Sequence, residues 1–415
     1  MHEPIVPILT QHAEEAAFLW LLRDRVVSAP HYSLSDLAKL DNRIEAHIDG
    51  LRIAGDPGWE ICKGALSTDE VGEVFAASVL AFEDGGETRI QAVIKTGSTA
   101  PELSRGLVFA LGWLPYAQAE AYIRKLLNSQ SPELQRVGIA ASAAHRRDPG
   151  RVLVHALKHD DIFLRARALK AVGELGLKDV LPFVLENLSA KDQKCRFYAA
   201  WSAALLGSSA GVPVLCEVAK AGGPYSERSC SMALRRMSVP DAHSWLRELA
   251  SDPGLQRLAV IGAGARGDPA SIPWLIENMV VPKLARVAGE SFTMITGVDI
   301  AYEDLEGEWP EGFEAGPTEN PEDEDVALDP DEDLPWPNPQ RIGEWWSKNK
   351  IRFRSGTRYL LGKPISVEQC QHVLKYGYQR QRAAAAIELV MLQPGQPLFE
   401  VRAPGFRQKQ LLGVK

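Results

Sequence analysis

No stretch of this 415-residue sequence is both long and apolar. The strongest candidate, Leu107 to Ala117, is interrupted by Pro115 and falls short of the roughly 20 residues that a membrane-spanning helix needs. The start of the chain has no basic residues leading into an apolar run and carries Glu3, Glu14 and Glu15 instead, so no secretory leader is expected and the expected location is the cytoplasm. Cysteine is sparse: Cys62, Cys195, Cys216, Cys230 and Cys370 are odd in number and form no C-x-x-C pair. That argues against a disulfide framework and against a cysteine zinc site. Inside helical patterns such residues act as small apolar side chains. Sustained strand alternation and heptad runs are also missing. No cofactor and no membrane partner are expected.

The charge is uneven. Asp299 to Asp333 holds 16 acidic residues and no Lys or Arg, while the other 38 acids face all 46 bases of the chain. The body is therefore mildly basic, although the formal net charge is -8. The apolar and charged fractions, 45% and 24%, are those of a folded globular chain, and the length permits a large core.

From Pro101 to Gly297 a short helix, a turn and a second helix recur. An arginine marks the start of each second helix: Arg105, Arg136, Arg165, Arg196, Arg228, Arg257 and Arg286, at steps of 31, 29, 31, 32, 29 and 29. Three residues after each come Val108, Ile139, Ala168, Ala199, Ser231, Val260 and Gly289. Four after come Phe109, Ala140, Leu169, Ala200, Met232, Ile261 and Glu290, the last of which breaks its column. These offsets share one helix face. Asp268-Pro269 supplies a cap followed by proline at the first helical position, and Gly176 and Gly207 suit helix C-termini.

Pairs this short must stack to bury their apolar faces, which predicts an all-α solenoid. The period is shorter than the roughly 40–47 residues of ordinary HEAT and armadillo units. It resembles the short HEAT-like repeats of phycobilisome lyases. The expected layout is a helical cap over 1–56 with helices at 11–28 and 34–53, and the repeats over 57–297. A mobile acidic insertion follows over 298–333, then a Trp/basic segment over 334–364, then a C-terminal helix pair and tail over 365–415.

The second half carries more particular motifs. These are Phe292-Thr293-Met294-Ile295-Thr296-Gly297, Leu334-Pro335-Trp336-Pro337, Trp345-Trp346, and Gly356-Thr357-Arg358-Tyr359-Leu360-Leu361-Gly362-Lys363-Pro364. With the repeats they resemble a proteobacterial family of HEAT-repeat proteins without demonstrated catalysis. Members of that family occur among type VI secretion components and their accessory proteins. The resemblance implies an adaptor or accessory role.

The partner-binding candidates are Arg136, Arg165, Arg196, Arg228, Arg257 and Arg286, together with Trp345, Trp346, Arg352 and Arg354. For the arginine ladder, bonds to turn carbonyls and to acids of the next unit suffice as an explanation, and that reading is preferred to a basic groove. The two Trp residues either plug the solenoid end or anchor a partner. The acidic run reads first as a solvated linker, and second as a strap that folds over the basic body until a partner displaces it. Three motifs are discounted. Gly262 to Gly267 fits G-x-G-x-x-G but no strand precedes it. Gly207 to Gly211 fits G-x-S-x-G but lies in an inter-repeat turn. His155 and His159 share a helix face but lack the glutamate and a third ligand of a zinc site.

The sequence therefore points to a non-catalytic scaffold for a protein partner, a secretion component or effector by resemblance. The alternative is a lyase-like or glycosylase-like enzyme, or a nucleic-acid binder, using a basic concave face; the acidic balance and the short period weigh against nucleic acid.

Overall fold

Each ladder arginine falls within the first five residues of a helix, in the order Ser104–Trp113, Pro132–Ala144, Ile162–Leu175, Gln193–Leu205, Ser226–Arg236, Gln256–Arg266 and Pro282–Thr296. These are the inner helices. The outer ones that alternate with them are Tyr116–Leu127, Arg151–Ala156, Leu181–Glu186, Val212–Lys220, Val239–Ser251 and Ile272–Asn278. The computed structural model describes residues 5–313, 315–316 and 329–414. Its architecture is an all-α solenoid, and among the described residues no helix is long and apolar enough to cross a membrane.

Local chemistry explains the starts of the inner helices. Ser131, Asp161 and Asp192 each accept from the backbone N–H three residues on, satisfying donors that the first turn leaves unpaired. Small residues then let neighbouring inner helices touch. A Cβ on Gly264 would lie 2.9 Å from Ser291 Cα, and one on Gly173 would lie 3.0 Å from Ser202 Cα. The two serines use that proximity. Ser202 Oγ donates to Leu169 O at 2.6 Å and Ser291 Oγ to Val260 O at 2.9 Å. Here both buried hydroxyls are satisfied by the neighbouring helix, so they favour this stacking register as well as permit it.

The N-terminal helices Val6–Val26 and Leu34–Ala54 pack as a pair, and Trp20 stacks on Phe75 at 5.2 Å between ring centres. The C-terminal pair, Val367–Tyr376 and Gln379–Leu392, does not continue the stack outward. It turns back to the start of the chain: Gln379 N donates to Tyr32 O and Arg380 Nε to Ser28 O, both at 2.8 Å. The tail then runs along the C-terminal ends of the inner helices. Leu398 N donates to Glu174 O, Arg146 reaches Leu398 O, and Arg407 donates to the carbonyls of Gly112, Trp113 and Leu114. A last helix, Gly405–Leu412, docks on Leu34–Ala54. The solenoid closes on itself, with the tail as its floor.

The insertion departs from the expected mobile linker at both of its described ends. Val298, Ile300, Leu305 and Leu334 are buried, Asn338 N donates to Leu305 O, and Gly307 N donates to Trp336 O. The acid count masks these apolar residues, which pack on the last repeat; expected mobility over 317–328 concerns residues outside those described. Downstream, Tyr359–Leu360 and Lys363–Pro364 form a hairpin around Leu361 and Gly362, both at positive φ. Leu361 N and Gly362 N donate to Met294 O and Ile295 O, so this motif caps the last inner helix.

Candidate functional site

The inner face holds two half-open basins. The first, about 580 Å³, lies over the inner helices of Arg105, Arg136, Arg165 and Arg196, with tail residues as its floor. Phe163, Arg167, Lys170 and Glu174 all line it, as their i, i+4, i+7, i+11 spacing on one helix face requires. The next helix contributes Lys194 and Tyr198, and the tail contributes Glu400 and Arg402. Seven Lys or Arg line this basin against three Glu, so cations dominate it. Two carboxylates are each shared by two cations: Glu174 by Arg167 and Lys170, and Asp24 by Arg105 and Arg402. Lys194 packs over the Phe163 ring, its nitrogen 4.8 Å from the ring centre.

Two ionisable groups on the wall lie in this field. Burial pushes the Glu174 carboxyl up, but Arg167, Lys170 and Arg146 outweigh it and hold the group at about 2. Burial likewise pushes the Tyr198 hydroxyl up, and Lys170 and Arg228 bring it below the usual phenol value. Both shifts have the sign that the surrounding cations impose.

The second basin, about 620 Å³, lies over the inner helices of Arg228, Arg257 and Arg286 and is partly occupied by the chain itself. Pro330 and Asp331 line it, and each of the five residues from Asp329 to Asp333 meets a basic side chain. Asp329 pairs with Arg286 at 2.7 Å, and Asp331 takes both terminal nitrogens of Arg257 at 2.7 Å. Arg380 approaches the Pro330 carbonyl at 3.5 Å, Glu332 pairs with Arg25 at 2.7 Å, and Asp333 faces His31 at 3.8 Å. Arg286 also donates to Asp331 O and lies over the rings of Trp309 and Trp336. The bond to Asp331 raises the Arg257 pKa, and Arg286 brings the Asp329 carboxyl below its ordinary value against the effect of burial. At this end the acidic segment lies against the basic body, the contact that the strap reading expected. It also ties the last repeats to the first helix pair.

The ladder divides accordingly. Arg136 bonds Ser104 Oγ and Glu133 at the rim of the first basin, and Arg165 donates to His159 O. Arg196 pairs with Glu217, and Arg228 stacks on Phe197 and Tyr198. Arg257 and Arg286 are engaged by the strap. Arg286 is only 3% exposed, so as a partner-binding candidate it is corrected to a structural anchor. Trp345 is half-buried and edge-on to Phe292, and Trp346 packs on Phe353, which places both against the end of the core. Arg352 and Arg354 are exposed on the segment that follows and line neither basin. His159 Nδ1 accepts from Asp161 N, a turn-closing role. Gly262 and Gly264 sit at helix contacts, and Gly267 ends its helix at φ 75°.

The sequence reading missed Arg167, Lys170, Lys194 and Tyr198, because it followed one column of arginines. The shared face of Phe163, Arg167, Lys170 and Glu174 was a usable signal. Comparison with curated proteins finds no match for this chain. The family model of HEAT repeats matches residues 150–229, a span that lines part of each basin.

Proposed function

We propose that the protein is a non-catalytic scaffold that holds a protein partner against its inner face. The observation that carries this reading is the serial arrangement of two half-open basins along consecutive inner helices. Stacked helix pairs present such extended concave surfaces, and an extended partner can follow them from unit to unit. HEAT repeats commonly serve as protein-interaction scaffolds, in keeping with the match over residues 150–229. An accessory role in type VI secretion, with a secretion component or effector as partner, rests on the family resemblance of the second-half motifs.

The test is site-specific photo-crosslinking in the host cell. A crosslinking residue replaces Lys194 inside the first basin or Arg124 on the outer helix Tyr116–Leu127. The scaffold reading expects one protein to be captured from Lys194 and not from Arg124, and a secretion component in that band supports the accessory role. Capture from Arg124 alone, or no capture, overturns it. A second reading, nucleic-acid or lyase-like binding on the same face, is favoured by the excess of cations in the first basin; salt-sensitive binding of duplex DNA would establish the nucleic-acid form.

A further inference from the structure

We infer that the first basin takes an acidic peptide segment of the partner, with two carboxylates separated by one residue, in the way that Arg257 and Arg286 at the second basin already hold Asp331 and Asp329. The inference rests on the scaffold reading and names the chemistry of its partner.

The second basin supplies a worked example. Arg257 on its lining and the neighbouring ladder arginine Arg286, buried beside it, receive Asp331 and Asp329, so one Asp-x-Asp unit spans one repeat step. Bidentate pairing at Arg257 gives that recognition a fixed geometry. The first basin repeats the design. Arg105 and Arg136 are neighbouring ladder arginines on its rim, and Arg167, Lys170, Lys194 and Arg402 lie further in. No strap of the chain crosses it among the described residues. Arg136 and Arg23 are each matched by a carboxylate, Glu133 and Asp41, but Glu174 and Asp24 each serve two of the remaining cations, and Lys194 has no carboxylate within 4 Å among the described residues. An incoming carboxylate therefore meets cations whose charge is incompletely matched. Phe163, Phe109 and Tyr198 beside them provide apolar and aromatic walls that a peptide backbone can lie against. A peptide is preferred to a nucleic acid because the bound example in this fold is itself a peptide.

The probe is a fluorescent peptide copying residues 329–335, Asp-Pro-Asp-Glu-Asp-Leu-Pro, blocked at both ends and titrated by anisotropy into the full-length protein. Micromolar binding is expected, weakened about tenfold or more by Lys194→Glu and left unchanged by Arg257→Gln. Thermal melting shows whether each variant stays folded; should Lys194→Glu melt early, Lys194→Gln gives the same reading with a smaller expected loss. Loss confined to Arg257→Gln would mean that the peptide merely replaces the internal strap, and would overturn the inference. Equal binding of a peptide with Asn and Gln in place of the acids would do so too, as would binding of a single-stranded oligonucleotide but not of the peptide. Failure here is separable from failure of the scaffold reading: a partner still crosslinked from Lys194, with no peptide binding, leaves the scaffold standing and removes only the acidic-segment assignment.

Discussion

Arg23 donates from Nε to Asp41 Oδ1 at 2.5 Å, with both residues shut away from water. The pair is also the seat of the tail. Arg23 Nη2 donates to the carbonyls of Arg402 and Ala403 at 3.0 and 2.9 Å, and Gly405 N donates to Asp41 Oδ2 at 2.5 Å. A Cβ on Gly405 would come within 2.7 Å of Ala38 backbone atoms, so glycine is required where the tail meets the first helix pair. Removing Asp41 leaves a buried guanidinium without its counter-ion. Asp41→Asn should therefore cost about 3 kcal/mol of unfolding free energy, read by urea titration. It should also make the chain after Gln393 sensitive to limited proteolysis. Wild-type stability in this variant would show that the pair is not what seats the tail.

The strap contributes to closure through Arg257 and Asp331. Arg257→Gln and Asp331→Asn should each cost about 1–2 kcal/mol, discounted because Arg257 is partly exposed. The double variant should cost little more than either single one, since both remove the same contact. Hydrogen exchange of the amides from Asp331 to Asn338 should quicken in all three. Fully additive losses would mean that the two side chains act independently.

Acid sensitivity has a defined sign at Glu174. Its folded pKa of about 2 lies below its ordinary value of 4.5. The charged form is favoured in the folded state, so its contribution is complete above about 4.5 and is lost as pH falls from there towards 2. A difference of this size corresponds to about 3 kcal/mol. Arg167→Gln should raise the carboxyl pKa and move the acid-unfolding midpoint to higher pH. An unmoved midpoint would show that Lys170 and Arg146 suffice to hold the charge.

The thiols should be inert in the native state. Burial pushes Cys62 and Cys370 up to about 12 and Cys216 up to about 11, and it raises Cys195 and Cys230 as well. Titration with a disulfide reagent at pH 8 should find almost no reaction until denaturant is added, and then all five. Fast modification of one cysteine in the native protein would contradict its burial.

The helix pairs were legible in the sequence because the arginine step and the two columns behind it report packing directly. Closure was not. The contacts that carry it join Arg23 to Ala403, Ser28 to Arg380 and Arg257 to Asp331, residues far apart in sequence and outside any periodic pattern. The acidic run was misread at its ends for a related reason. Composition averages its charge, whereas Leu305, Leu334 and Asp331 act one at a time. For the basin, a wheel of the helix Ile162–Leu175 would have revealed its cationic face, but not that the tail supplies Arg402 to the same space.

Open solenoids lengthen readily, because a duplicated unit simply adds another storey. Here the hairpin at Leu361 and Gly362 seals the last inner helix, and Asp329 to Asp333 must reach Arg286, Arg257, Arg25 and His31 at once. One added unit of about 30 residues would pull those four anchors out of reach of a five-residue span, which extends at most about 18 Å. The number of repeats is therefore a fixed quantity in this molecule, and growth or shrinkage by a whole unit would demand a new strap and a new floor together.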